Sequence, residues 1–165
     1  MKLKAVVTWK KRAYSKEVQR NLVIRMLDFD KKMNEFKNPL NRFIEFVDSN
    51  PETFHEDTVP SNYKEFSDNM ANYEFLKKKF LKSWDKEKID RMIEYLSFAH
   101  NDLYSIHELL FEIEKKMKLT LVDKILRRKS EYHRILNLVN NVMKIIKKHI
   151  EYLKHIKDYL PSNKS

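Results

Sequence analysis

The chain of 165 residues contains no glycine, whereas an average protein contains about 7%. Glycine is the residue that adopts positive φ at no steric cost and lets a backbone approach a phosphate closely. The P-loop, the dinucleotide-binding fingerprint, the nucleophile elbow and the EF-hand loop all need it. Tight β-hairpin turns depend on it too. The composition therefore excludes these nucleotide-binding, catalytic and metal-binding devices, and favours a protein of long helices.

Composition narrows the class of protein further. The length suits one domain with a real core, and 42% hydrophobic and 35% charged residues argue against disorder. No apolar run approaches the ~20 residues of a membrane helix, and the apolar stretch Ala5–Val7 is shorter than the ~7–15 residues of a secretory signal. We therefore expect a cytoplasmic protein without membrane contact. The absence of cysteine excludes disulfides, thiolate metal sites and a cysteine nucleophile.

The net charge of +10 is unevenly distributed along the chain. Residues 1–37 hold eleven Lys/Arg and four Asp/Glu, a net charge of +7. Residues 38–76 hold two and eight, a net charge of −6, and residues 77–165 hold twenty-one and twelve, a net charge of +9. An acidic middle between basic ends is compatible with mutual neutralisation of packed helices, or with one positive face for a polyanion.

The first half of the chain predicts a basic arm followed by two helices. Residues 2–10 alternate apolar and polar side chains, the period of a strand. Because a lone strand has no partner, an irregular arm or an extra helical turn remain alternatives for residues 1–14. Ser15 is the expected N-cap of the first helix. Asn38 and Pro39 are expected to end that helix and open a second, shorter one. The apolar stripe of these helices comprises Val18, Leu22, Met26, Phe29, Met33, Phe36, Leu40, Phe43, Ile44 and Val47.

The second half predicts a loop and longer helices. Residues 51–60 form an acidic, proline-bounded loop, after which Ser61 is placed to cap a helix. A break is expected at residues 83–85, where Ser83 or Asp85 can cap the next helix. Thr120, three residues before Asp123, resembles a capping box and predicts another start. The apolar stripes comprise Tyr63, Phe66, Met70, Tyr73 and Phe80, then Ile89, Met92, Leu96, Leu103, Ile106, Leu110, Ile113 and Met117, then Val122, Ile125, Leu136, Val139, Met143, Ile146, Ile150 and Leu153.

These elements predict an all-α protein, a four- or five-helix bundle with a long C-terminal antiparallel helical hairpin. Residues 15–160 form the bundle domain and residues 161–165 a polar tail after the helix-ending Pro161. Each hairpin helix can exceed thirty residues, about 45–60 Å at 1.5 Å per residue, with the turn near 118–120. One continuous helix from Asp85 to Leu160 is the competing arrangement, and it would force oligomerisation to cover its apolar stripe.

The six histidines do not form a metal-binding pattern. A helical zinc or di-iron site needs ligands three or four residues apart on one face. His100 and His107 are seven apart, and the predicted helices contain neither a Glu-x-x-His nor a His-x-x-x-His pair. The Glu-x-x-His pair at Glu52 and His55 lies in the predicted loop. His149 lies near the apolar stripe of the last helix and is expected at the edge of the core. We expect no metal and no cofactor.

One short segment, RRKSEYHR at residues 127–134, carries a catalytic resemblance. Arg128, four residues and then His133 resemble the motif of HEPN ribonucleases, which are helical bundles that often dimerise. The resemblance implies that His133 assists proton transfer and Arg128 holds the phosphate, without a metal. Lys129 replaces the asparagine more common after that arginine. Such a spacing also arises by chance on a basic helix.

Basic clusters recur along the predicted helices, at residues 10–12, 77–79, 115–118, 127–129 and 147–148. Lysine and arginine neutralise phosphates anywhere along a backbone, although lysine is also a good helix former that faces water. Trp9, Tyr14 and Trp84 lie beside basic residues, and such rings can stack on unpaired bases. We give a membrane-surface role less weight, because the core needs the apolar stripes.

The sequence thus predicts a non-catalytic accessory protein that binds RNA or DNA through a basic helical face, as a subunit of a larger assembly. The predicted phosphate-binding residues are Lys10, Lys11, Arg12, Arg127, Arg128, Lys129 and Arg134. A protein–protein interaction module, with a protein partner or a second copy, is the alternative, docking through the acidic segment 52–57 or an uncovered stripe. The second alternative is the metal-free ribonuclease with Arg128 and His133.

Overall fold

A computed structural model describes residues 2–48, 58–116 and 122–160 of the chain. These residues form four α-helices: α1 (Lys2–Asp48), α2 (Thr58–Lys82), α3 (Lys86–Lys116) and α4 (Val122–Lys157). The described residues contain neither a strand nor a positive φ. The all-α bundle predicted from the sequence is therefore confirmed, with four helices.

α1 is longer than predicted at both ends. It begins at Lys2, so the helical alternative for this segment agrees with the structure. The strand over residues 2–10, the irregular arm and the cap at Ser15 are wrong. No glycine or proline precedes Pro39, so the sequence contains no helix-breaking residue in the N-terminal segment. Pro39 lies inside α1, and the predicted break at that residue is also wrong. The apolar stripe continues through Leu40 and Phe43, both buried, and this packing offsets the ~3 kcal/mol cost of an interior proline.

The start of α2 differs from the prediction. α2 begins at Thr58, before the predicted cap at Ser61. Pro60 consequently lies in the first turn of α2, where its missing N–H would have had no helical partner. Residues 49–57, which include most of the predicted loop and the acidic segment 52–57, lie outside the described residues.

The break between α2 and α3 is confirmed. α2 ends at Lys82, and Asp85 caps α3, because its Oδ1 accepts the backbone N–H of Lys88 at 2.9 Å. The Lys88 ammonium lies 2.8 Å from Asp85 Oδ2 and donates to the Ser83 carbonyl at 2.9 Å. A cap and a lysine thus stabilise this short connection without glycine.

α3 and α4 are separate helices that pack along each other. Lys157 Nζ, at the end of α4, lies 2.7 Å from Asp90 Oδ1, near the start of α3. α4 therefore returns along α3, in contrast to one continuous helix. The turn predicted at residues 118–120 and the Thr120 cap lie outside the described residues, as do the side chains of Ile113, Met117, Val122 and Ile125.

The core is a single cluster built from the predicted stripes. α2 packs most extensively on α3, and α3 on α4, while α1 lies mainly against α4. Fully buried side chains line the interior: Leu22, Tyr73, Phe80, Ile89, Met92, Leu96, Leu103, Ile106, Leu110, Ile146 and Leu153. Each such aliphatic or aromatic side chain stabilises the fold by about 1.5–3 kcal/mol relative to its exposed state.

One face of α2 carries three buried polar residues, Asn69, Tyr73 and Lys77, which we call the polar row. Their spacing of four places them on successive turns of the same face. Each contacts a different helix, and the partners are Asp102 of α3, His149 of α4 and Asp30 of α1. The polar row therefore connects α2 to all three other helices through side-chain hydrogen bonds.

Candidate nucleic-acid interface

The predicted phosphate-binding residues lie on two helices that pack together. Residues 10–12 lie in α1 and residues 127–129 in α4, but their side chains are outside the described part. Arg134 of α4 is described, is exposed, and lines a cleft against α1. The prediction for six of the seven residues thus stays a prediction, while Arg134 has a defined position beside α1.

A first cleft, of about 130 Å³, lies between α1 and α4. Arg25 and Lys32 of α1 and Lys144 and Lys148 of α4 line it. Asp28 also lines it, and its Oδ2 lies 3.1 Å from Lys32 Nζ. Four basic groups and one already paired carboxylate leave a positive potential, which attracts an anion. We call this the basic cleft.

The geometry of the basic cleft follows from helical spacing. Arg25 and Lys32 are seven residues apart, and Lys144 and Lys148 are four apart, so each pair occupies one face of its helix. Tyr152 also lines the basic cleft, and the Arg25 guanidinium lies 5.3 Å from the centre of its ring. This cation–π contact places the Arg25 guanidinium beside Tyr152. A volume of about 130 Å³ is below that of most small-molecule pockets, so the cleft suits the phosphates of a strand that runs along its four basic groups.

The inner wall of the basic cleft is formed by Phe29 and His149. The two rings stack with centroids 4.1 Å apart, and Nε2 of His149 shares a hydrogen bond of 2.9 Å with the Tyr73 hydroxyl. Burial, with the charges of Lys77 and Arg25, lowers the pKa of His149 to about 3. His149 is therefore neutral at physiological pH and 5% exposed, as a core residue. Its predicted place near the core is confirmed.

A second cleft, of about 390 Å³, lies farther along the same pair of helices. Arg42 of α1 and Arg134 of α4 line it together with apolar side chains: Pro39, Phe43, Phe46, Ile135 and Leu138. Phe43 is buried, whereas Phe46 is half-buried. We call this the arginine cleft, because it combines two guanidinium groups with an apolar interior.

Both clefts lie along one line of contact between α1 and α4, which we call the seam. Lys144 in the basic cleft and Arg134 in the arginine cleft are ten residues apart, about 15 Å at 1.5 Å per residue. Lys32 and Arg42 are also ten apart. The seam therefore presents six basic side chains, three from each helix, to one side of the bundle.

Two features that favoured nucleic acid in the sequence have a structural role instead. Lys77 of the cluster at residues 77–79 is 7% exposed, with Nζ 2.5 Å from Asp30 Oδ2 and 2.7 Å from Glu74 Oε2. Trp84 is half-buried, with its ring centroid 4.8 Å from that of Phe80. Its Nε1–H donates to the Leu81 carbonyl at 3.3 Å. Lys77 is therefore neutralised inside the protein, and the Trp84 ring packs against Phe80.

The described residues show no contact between Arg128 and His133, the two residues that resemble the motif of HEPN ribonucleases. His133 is exposed on α4, and Arg128 lies five residues earlier on the same helix, with its side chain outside the described part. Positions five apart on an α-helix lie about 140° apart around its axis. Arg128 and His133 therefore belong to different faces of α4.

The described ranges contain neither a group of metal ligands nor a membrane-spanning helix. No three His, Asp or Glu side chains there come together in a group that could hold a metal ion. No helix in those ranges is long and apolar enough to cross a bilayer.

Sequence reasoning missed Arg25, Lys32, Arg42 and Lys144. Single basic residues, unlike runs, do not stand out in a linear sequence. Arg25 and Lys32 flank the apolar stripe of α1 at a spacing of seven, and this was the signal that could have identified them. Lys148 stands out in the sequence only as part of a run with Lys147.

No known protein family, curated protein or solved structure matches this chain.

Proposed function

We propose that this protein is a non-catalytic accessory protein that binds nucleic acid along the seam between α1 and α4, as a subunit of a larger assembly. One observation carries the proposal. Arg25 and Lys32 from one helix and Lys144 and Lys148 from another line the same cleft. Basic residues distributed at random over a +10 protein need not meet in this way across a helix–helix contact. Convergent ammonium and guanidinium groups are the chemistry that phosphates require.

Recognition along the seam is electrostatic and tolerant of sequence. Each phosphate that a lysine or arginine neutralises releases a condensed counterion. Four contacts in the basic cleft give a slope of log K against log salt of about −2.8 for a single strand. Affinity then falls about 50-fold between 50 and 200 mM salt.

The test compares two double variants with identical changes in charge. Lys144→Gln/Lys148→Gln removes two basic groups from the basic cleft, four residues apart on α4. Lys78→Gln/Lys82→Gln removes two exposed lysines, also four residues apart, from α2. Binding of fluorescein-labelled oligonucleotides is followed by anisotropy between 50 and 200 mM salt.

We expect the α4 variant to lose about 1.4 from the magnitude of the salt slope, while the α2 variant keeps the parent slope. Equal losses in both variants would mean that net charge alone governs binding, against the proposed seam. A parent protein that binds no oligonucleotide at 50 mM salt would end the proposal.

A protein-docking module is the second candidate, favoured by exposed apolar side chains on α1. Ile24 is 57% exposed and Leu27 63% exposed, one turn apart. Adjacent exposed aliphatic side chains are typical of surfaces that another protein covers. Sedimentation that depends on protein concentration, in a chain without affinity for nucleic acid, would favour this function over the first.

A further inference from the structure

We propose that the seam selects single-stranded over double-stranded nucleic acid, with an unpaired base in the arginine cleft and neighbouring phosphates in the basic cleft. This inference rests on the proposed function and names the class of ligand. RNA and DNA share the two groups involved, a planar base and a phosphodiester.

The arginine cleft has the composition of a base-binding site. Its interior is apolar, formed by Pro39, Phe46, Ile135 and Leu138, with buried Phe43 in its lining. Two exposed guanidinium groups, Arg42 and Arg134, line it from opposite helices. An aromatic ring and a guanidinium plane are both surfaces on which an unpaired base stacks. The positive charge complements the phosphate attached to that base.

The volumes of the two clefts indicate that the arginine cleft takes the base and the basic cleft takes the phosphates. The arginine cleft, at about 390 Å³, falls in the range of small-molecule sites, whereas the basic cleft, at about 130 Å³, is smaller and is lined by more charges. The ~15 Å between them along α4 corresponds to about four nucleotides at 3.4 Å per stacked nucleotide. One strand can therefore occupy both clefts.

A duplex cannot use the arginine cleft in the same way. Its bases are paired and stacked inside the helix, and moving one out costs a few kcal/mol. Only the phosphates of a duplex can contact the seam, as they would contact any basic surface. The preference for a single strand thus follows from the apolar interior of the arginine cleft.

Two exposed aromatic residues on other helices, Phe75 and Phe111, lie outside both clefts. Phe75 on α2 is 59% exposed, and Lys79 Nζ lies 4.4 Å from its ring centre. Phe111 on α3 has Lys115 Nζ at 4.4 Å in the same arrangement. Each is a ring beside a lysine on one helix, outside either cleft. Phe75 therefore provides a matched control, because it has an aromatic face and a positive charge without a second wall.

The experiment measures anisotropy of a 12-nucleotide oligo(dT), an oligo(rU) of the same length and a 12-base-pair duplex. The variants are Phe46→Leu, which keeps apolar volume and removes the aromatic face, and Phe75→Leu. Circular dichroism melts confirm that both remain folded. We expect the parent to bind the single strands more tightly than the duplex. Phe46→Leu should weaken single-strand binding about 5- to 10-fold and leave duplex binding unchanged, while Phe75→Leu changes neither.

A second readout locates the base directly. An oligonucleotide with 5-iodouridine is crosslinked by light, and the protein is digested with trypsin. Crosslinks are expected in the peptide of residues 43–64, which carries Phe46, or in that of residues 135–144, which carries Leu138.

The outcomes separate the two proposals. If the duplex binds as tightly as the single strands, or if Phe46→Leu and Phe75→Leu behave alike, the base-binding role of the arginine cleft is wrong while salt-dependent binding at the seam survives. If the parent binds no oligonucleotide, both proposals fail. Crosslinks confined to other peptides also overturn the base-binding role.

Discussion

Replacing Lys77 by methionine tests whether the contact between α1 and α2 depends on a buried charge pair. Lys77 is 7% exposed, and its ammonium lies between the carboxylates of Asp30 and Glu74. The Oδ1 atom of Asp30 is buried without a hydrogen-bond partner. Methionine fills most of the lysine volume, so the substitution removes the charge and leaves the Asp30 carboxylate uncompensated.

The size of the expected loss in stability depends on how deeply Asp30 and Glu74 are buried. Removing one member of a fully buried ion pair costs about 3–5 kcal/mol. Because the Asp30 side chain is 27% exposed and that of Glu74 43%, water screens part of the loss. We therefore expect Lys77→Met to lower the free energy of unfolding by about 2–3 kcal/mol. In a domain of this length the melting temperature should fall by roughly 5–10 °C.

Urea denaturation followed by circular dichroism measures the effect, with Lys78→Met as the control. Lys78 is the exposed neighbour, so its replacement should change stability by less than about 0.5 kcal/mol. The double variant Lys77→Met/Asp30→Leu removes both charges and should recover most of the loss. A Lys77→Met protein as stable as the parent, or a double variant no better than the single one, would refute the reasoning.

Two further predictions concern titratable partners of the polar row, Asp102 of α3 and His149 of α4. Burial, with a contribution from Glu65, raises the pKa of Asp102 to about 6, compared with 3.8 in the unfolded chain. Between these two pH values the folded protein therefore keeps a proton that the unfolded chain has released. Ionised Asp102 therefore destabilises the fold above pH 6, and this penalty disappears as the pH falls from about 6 toward 3.8. Asp102→Asn preserves an oxygen for the Asn69 amide and should stabilise the protein by about 1–2 kcal/mol at pH 8 and by almost nothing at pH 4, as measured by urea denaturation. A destabilised variant at pH 8 would contradict this. For His149, whose pKa is lowered to about 3, the unfolded chain gains the proton first, so this group destabilises the fold as the pH falls below 6.5. Its imidazole resonances should remain those of the neutral ring from pH 8 to pH 5, and a midpoint inside that range in NMR titration would show that the side chain is more hydrated than the structure indicates.

The helical stripes were predictable because their period is repeated many times. Leu22, Met26 and Phe29 step by three or four residues, and all three are buried. Boundaries were less predictable, because a single cap or proline is a weak local signal against long-range packing. At Pro39 the buried Leu40 and Phe43 continue the helix, whereas at Asp85 the local cap and the end of the stripe agree.

The candidate site was less accessible to sequence reasoning than the fold. Runs of lysine attract attention, yet Lys77 in one such run is neutralised in the interior. Isolated residues such as Arg25 and Arg42 line the clefts instead. Which basic side chains converge depends on how α1 is aligned with α4, and a linear pattern does not contain that alignment.

The polar row determines how the four helices are aligned along their axes. Regular apolar stripes can slide past each other by two turns and still bury leucine against leucine, so hydrophobicity alone distinguishes poorly between neighbouring axial positions. Asn69, Tyr73 and Lys77 each meet a partner on a different helix, and a slip of any helix would leave one of those partners unpaired in the interior. A chain without glycine can thus fix the axial alignment of its four described helices through three hydrogen bonds on a single face of α2.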